Sequence, residues 1–157
     1  MKLLAEYRDA KRAEQMARLR RVLAFRAMAA TGMSQRQIAE ALGVTQPAVS
    51  QQLKFGPELD AVHPEVLLEA AAPVLKALAA EHAYSRLAVF GSVARHEARK
   101  ESDIDLPVEA PQSTSSFDFV RFKQLIERVL GREVDLVSYG GLKANVDDDI
   151  RRDAVLL

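Results

Sequence analysis

The sequence predicts an α/β (α+β) protein in two parts: an all-α N-terminal domain over residues 1–60, then a small domain with a mixed sheet and flanking helices over residues 61–157. Three observations predict it. Residues 2–30 hold neither Pro nor Gly and are rich in Ala, Arg, Leu and Met, which is helix composition. Ser34 to Leu53 carries two helix caps around a glycine turn. From Arg86 onward, short apolar runs of strand length end in turn residues, with one long helical stripe between them.

The bulk properties bound the answer. With 157 residues, 48% apolar and 28% charged, the chain is globular and not disordered. It has no cysteine, which excludes a disulfide scaffold or a Cys zinc site and agrees with a reducing cytosol. No run of about 18 apolar residues occurs, and the N-terminus lacks the unbroken apolar core of a signal peptide. The expectation is a soluble cytoplasmic protein with no membrane partner. A net charge of zero hides a division: residues 1–55 hold ten Lys or Arg against four Asp or Glu, a net of +6, leaving −6 for the rest. Such asymmetry argues for two functional units, the first attracted to a polyanion.

In chain order, Leu19, Val22, Leu23, Phe25 and Ala29 give the first helix its buried stripe. Its first half is sparser, with Leu3, Leu4, Tyr7 and Met16. That half reads equally as a projecting arm, for dimerisation or phosphate contact, or as part of a packed helix. Thr31-Gly32 ends it. Ser34 then caps a helix that buries Ile38, Ala39 and Leu42, Gly43 allows a turn, and Thr45 caps a second helix with Pro47 in its first turn. Val49 and Leu53 face inward. This is the construction of a helix-turn-helix, and Thr45-Gln-Pro-Ala-Val-Ser50 resembles the recognition segment of many bacterial repressors. On that reading Gln46, Ser50 and Gln51 reach base edges, while Gln35, Arg36, Thr45 and Lys54 hold phosphates. One such module covers little DNA, so the expectation is a homodimer on a palindromic or pseudo-palindromic operator.

Phe55-Gly56-Pro57 marks the boundary between the parts. Leu67, Ala71, Val74, Leu75 and Leu78 line another helical region that starts at His63-Pro64 and is expected to split at Pro73. Arg86 to Phe90 reads as a buried strand. Pro111 to Ser116 is a polar loop. Phe117 to Leu130 is a helix with Phe119, Phe122, Leu125, Ile126 and Val129 inward, stopped by Gly131. Glu133 to Val137 is a strand, Tyr139 to Gly141 a turn, and a last helix runs from Asp147 or Asp148 to Val155. Acids at Asp147 to Asp149 suit the start of that helix better than a metal site. His63, His82 and His96 are too scattered to hold a metal.

The chemistry concentrates around Val89-Phe-Gly-Ser92. Gly91 lets the backbone be approached closely, and Ser92 opens a short helical turn whose N–H groups and hydroxyl can cradle a phosphate. In Ser102 to Val108, Ile104 and Leu106 alternate with Asp103 and Asp105, so a strand puts both carboxylates on one face, about 6.6 to 7 Å apart at Cα. Asp135, opposed to Val134 and Leu136, supplies a third carboxylate on a neighbouring strand. Three hard oxygen donors beside a phosphate cradle suit two Mg²⁺ ions and an in-line nucleotidyl displacement. Arg95 reads as a phosphate or partner contact or as one half of a surface salt bridge.

Gly91-Ser92, ten intervening residues, Asp103-x-Asp105 and the later Asp135 together resemble the signature of the minimal nucleotidyltransferases of the DNA polymerase β-like superfamily. The resemblance runs from about Pro73 to the C-terminus. It implies a polymerase β-like nucleotidyltransferase domain in which Gly91 and Ser92 hold the triphosphate of ATP. Asp103, Asp105 and Asp135 would bind metal, with Asp135 activating the acceptor hydroxyl. Two departures stand out: His96 where the family usually has Gly, and Pro107 in the strand after the Asp pair, which implies that this strand ends early, bulges or lies at an edge. Members of the family are commonly antitoxins paired with HEPN-type ribonuclease toxins, and some transfer AMP to a tyrosine of that toxin. The resemblance therefore implies an antitoxin that nucleotidylates a HEPN toxin and, through its helix-turn-helix, represses its own operon. The alternative is a transcriptional regulator whose nucleotidyltransferase domain is silent and serves as a nucleotide sensor or partner-binding module.

Overall fold

The computed structural model describes residues 1–54, 56–141 and 148–157. Helix α1 spans Lys2–Ala30, and its C-terminal half supports everything else. Leu19 and Leu23 enter the main core, while Phe25 joins Ile38, Ala39 and Val49 in a second, smaller one. Helices α2 (Gln35–Leu42) and α3 (Gln46–Lys54) complete that second core. Ser34 closes a capping box with Gln37, Gly43 turns the chain at φ +67°, and the Ala48 N–H donates to Thr45 Oγ1 at 3.3 Å. Leu42, expected to be buried, is 48% exposed, because the small core closes on its four buried residues without reaching it.

Helix α4 (Pro64–Glu81) corrects the expected split at Pro73: it is continuous through that proline. Pro73 faces outward. Leu67, Leu68 and Ala71 before it and Leu75, Leu78 and Ala79 after it are all buried. Burial on both sides of the break offsets the roughly 3 kcal/mol that an internal proline costs.

The sheet follows. Strand β1 is Ala88–Val89, a short helical turn α5 is Gly91–Ala94, and β2 is Ile104–Val108. Helix α6 (Ser116–Leu130) is capped by Ser115, which accepts from the Asp118 N–H, and ends at Gly131 with φ +68°. Strand β3 (Val134–Ser138) runs parallel to β2 with Asp105 opposite Asp135. Ile104, Leu106 and Val108 turn one face of β2 into the core against α4, α6 and α1. Tyr139–Gly141 is a 3₁₀ turn.

The C-terminus departs from expectation. Helix α7 covers Asp148–Asp153 and stops there, and Val155–Leu156 forms β4, antiparallel to β1. Apolar Val155 and Leu156 meet a strand edge at Ala88 and Val89, and the Leu157 N–H adds a bond to the Leu87 carbonyl at 3.0 Å. That pairing satisfies backbone groups that another helical turn would leave at a frayed end. Phe55 and Asp147 lie outside the described residues. Among the described residues, no helix is long and apolar enough to cross a membrane.

Pro107 sits inside β2, and the structure takes the bulge among the options its presence left open. Between β1's segment and β2, Ser85 bridges Glu109 and Phe90 bridges Asp105, so four residues on one side face three on the other. The extra residue is accommodated where Arg86 adopts φ +53°. Asp105 and Glu109 bond toward β1, so by alternation Pro107 also points there, opposite the bulge where no N–H is needed.

Candidate active site

Strand β1 delivers Phe90, whose N–H donates to the Asp105 carbonyl at 2.9 Å, and thereby fixes the next residue against Asp105. Gly91 has φ +78°, and a Cβ there would lie 2.5 Å from Asp105 Oδ2. Only glycine satisfies both the left-handed backbone and that approach. The close neighbour of Gly91 is thus a carboxylate. Ser92, half-buried, follows in α5 and its carbonyl accepts from the Glu97 N–H at 2.9 Å. The turn ends through His96 at φ +56°, a conformation that explains why glycine is the usual residue there.

Asp105 in β2 is half-buried and Asp103, the residue just before the strand, is exposed, while Ile104 and Leu106 between and after them are buried. Asp135 comes alongside through the parallel register, directly opposite Asp105. Burial pushes the Asp105 carboxyl above the usual carboxylate range; Asp135 pushes it further, Asp103 adds to this, and Arg95 opposes it. Asp103 and Asp135 are exposed and Asp105 is half-buried. Among the described residues, no three acidic or His side chains are already gathered around one point. The donor chemistry nevertheless fits a divalent cation: hard carboxylate oxygens on neighbouring strands, whose charges a bound cation would offset.

Two supports escaped sequence reasoning. Arg132 Nη2 donates to the carbonyls of Lys100 (2.9 Å) and Ser102 (3.1 Å), pinning the loop that leads into Asp103. Glu127 Oε2 accepts from the Val134 N–H at 3.2 Å, seating the start of β3 one residue before Asp135. Arg132 acts across 30 residues or more, and Glu127 reaches over the Gly131 turn to a strand start that only the fold brings to it, so neither carries a local pattern. Arg95 pairs with Glu97 at 3.2 Å, the salt-bridge option. Pro107 leaves the corner intact, because the Asp105 carbonyl keeps its bond to Phe90.

At the N-terminal pair of helices, Gln46, Gln51, Arg36, Thr45 and Lys54 are exposed, while Gln35 and Ser50 are half-buried. Thr45 is engaged as the cap of α3.

A glycine turn leaving β1 toward carboxylates on the parallel pair β2 and β3 agrees with a nucleotidyltransferase. The chain belongs to that family, whose nucleotidyltransferase domain matches residues 73–157. Its particular kind is the minimal nucleotidyltransferase: a solved structure of one superposes with a TM-score of 0.54 at 39% identity, covering 59% of this chain and 95% of that one. A candidate protein adenylyltransferase of Methanocaldococcus jannaschii is 41% identical over 75 residues, 48% of this chain and 81% of the relative. The protein adenylyltransferase MntA of Thermococcus cleftensis is 35% identical over 69 residues, 44% of this chain and 70% of the relative. The matched domain begins at Pro73, inside α4.

Proposed function

We propose that this chain transfers AMP from ATP to a hydroxyl of a partner protein of the HEPN toxin type, and that α2 and α3 form a DNA-binding head that represses its own operon. The observation that carries the transferase half is the Asp105–Asp135 pair held against the Gly91 turn. The names of the adenylyltransferase relatives support AMP and a protein acceptor.

In this reading the N–H groups and hydroxyl of Gly91-Ser92 orient the triphosphate. Asp103, Asp105 and Asp135 would hold two Mg²⁺ ions, which when bound supply charge neutralisation at the phosphates. Asp135, the exposed member of the close pair, takes the proton of the acceptor hydroxyl. The acceptor oxygen then bonds to the α-phosphorus as the bond to the pyrophosphate oxygen breaks, and pyrophosphate leaves with that electron pair. The matched domain, residues 73–157, is small. It leaves little room for an acceptor pocket, so the acceptor brings its own surface.

The DNA half rests on the two caps, the Gly43 turn and the exposed Gln46 and Gln51 at the start and middle of α3. A second reading, a silent domain that neutralises its partner by contact, is favoured by His96, which strains the turn after Ser92.

The test is incubation with Mg²⁺, α-labelled ATP and the product of the neighbouring gene. Label on that product with the wild type, and none with Asp103→Ala, supports transfer. Partner binding without label in the wild type favours the contact reading. Footprints on the upstream DNA that are unchanged in Gln46→Ala/Gln51→Ala would remove the assigned recognition helix.

A further inference from the structure

Asp103 precedes β2 and the loop from Pro111 to Thr114 follows it, so that loop lies at the end of the strand away from the acidic corner. Between the loop, the C-terminal end of α1 and one face of α6 is an open cleft of about 600 Å³. Thr31, Tyr84, Thr114, Asp118, Arg121 and Arg128 line it. Arg121 and Arg128 are seven residues apart on the same face of α6, about 10 Å along its axis.

Both arginines are exposed, and neither has an acidic partner among the described residues. Arg121 lies over the Phe117 ring, 5.4 Å from its centroid, and the Arg128 guanidinium makes no hydrogen bond there. Elsewhere in this part of the chain, Arg86, Arg95 and Arg152 pair with carboxylates and Arg132 with carbonyls. The other acids around α6 are committed elsewhere: Glu127 accepts from the Val134 N–H, Glu81 lines the groove between α1 and α4, and Asp60 acts on Arg26. Asp118, the acid in the cleft wall, accepts from Ser115 Oγ at 2.8 Å. It stands one turn from Arg121 but about 15 Å along the axis from Arg128. Burial, and then Asp118, push the Tyr84 hydroxyl above its ordinary range, so it keeps its proton as a donor. Guanidiniums and hydroxyls around one cleft suit phosphate oxygens.

The place of the cleft says which phosphates. Thr31 in its wall is three residues before Ser34, the cap of α2, and Gln35 and Arg36 in the first turn of α2 are exposed or half-buried candidates for DNA phosphates. Residues 1–55 carry a net +6. Helix α6 carries Arg121, Lys123 and Arg128 against Asp118 and Glu127, so positive charge continues from the head onto α6 within an otherwise acidic part. We propose that Arg121 and Arg128 extend the DNA-binding surface onto α6 and receive the phosphate backbone that runs past the N-terminus of α2. This rests on α2 and α3 being a DNA-binding head, and adds that the transferase part grips the same duplex.

The test is fluorescence anisotropy of the full chain, across a salt series, on two labelled duplexes: the DNA upstream of its gene and a random sequence of equal length. Arg121→Ala/Arg128→Ala is expected to weaken both duplexes roughly tenfold and to lower the slope of log affinity against log salt by about 1.8, with the preference for the upstream duplex unchanged. Arg128→Ala alone should account for more of the loss, since Asp118 stands near Arg121 only. Arg121→Lys/Arg128→Lys, which keeps both charges, should retain the slope. Arg99→Ala/Lys100→Ala removes the same charge at the other end of β2 and should also retain it. Wild-type slope and affinity in Arg121→Ala/Arg128→Ala, with the upstream duplex still preferred, would overturn the α6 contact and leave the head standing. An equal loss in Arg99→Ala/Lys100→Ala would overturn it by showing that net charge alone counts. A wild type that binds neither duplex would overturn the head and the α6 contact together.

Discussion

At the scale of single residues, His96 carries a backbone conformation that suits glycine. A side chain held at φ +56° costs about 1–2 kcal/mol, and the contact it makes in return, Nδ1 to Glu65 Oε1 at 3.9 Å, is long. His96→Gly is therefore expected to raise stability by about 1 kcal/mol in urea denaturation. An unchanged or lower midpoint would mean that the imidazole contributes more than the strain removes. Asp105 makes a pH-dependent prediction. Its folded-state carboxyl titrates above the unfolded range, so its contribution is fully present at low pH and is lost as pH rises through the folded value. In EDTA, Asp105→Asn should match the wild type in acid and become the more stable of the two as pH climbs past the ordinary carboxylate range; parallel curves would contradict the shift. Gly91 was legible as a point of close approach, because its place between strand and turn demanded it. The identity of the approaching group was not, since only the pairing of β1 with β2 brings Asp105 there.

Among the elements, α1 packs Leu19 and Leu23 into the main core and adds a guanidinium clamp on the end of α6. Arg26 Nε and Nη2 donate to the carbonyls of Val129 (2.8 Å) and Arg128 (2.7 Å), acceptors that the end of α6 leaves without helical partners. Arg26→Ala is expected to cost about 1.5–3 kcal/mol by chemical denaturation, with Arg26→Lys recovering only part, because an ammonium cannot span both carbonyls in the same fork. A loss below about 0.5 kcal/mol would show that these bonds merely replace water. Helices α2, α3 and α6 were legible because each has an apolar stripe and a marked end: Ser34 before α2, Thr45 before α3 and Gly131 after α6. Strand β4 was not legible, because two residues have no periodicity and only the partner edge at Ala88 and Val89 gives them a conformation. Pro73 misled for the converse reason: a local helix breaker is overridden by the apolar residues buried on either side of it.

Across the whole molecule, α1 threads both cores. Leu19 and Leu23 belong to the larger, and Phe25, two residues on, belongs to the smaller. The small core has too few buried side chains to stand alone, so it depends on the helix the large one holds. Thermal unfolding is expected to be a single transition, with probes at the α2–α3 pair and at the sheet giving coincident midpoints. A separate early melt of the head would show that α1 frays between the two cores. An expectation of two parts was legible from charge and motif. The sharing of one helix was not, because adjacent positions on a helix point to different neighbours and the stripe alone names neither.

Pro107 also bears on how the sheet finds its alignment. Glu109 now donates its N–H to Ser85, and a slip of two residues along β2 would offer Pro107 in its place, with no hydrogen to give. The same slip would carry Asp105 about 7 Å from Gly91. Proline here acts as a proofreader of strand alignment: misassembled sheets lose a bond at the edge, and the arrangement that keeps it is the one that leaves the acidic corner in working order.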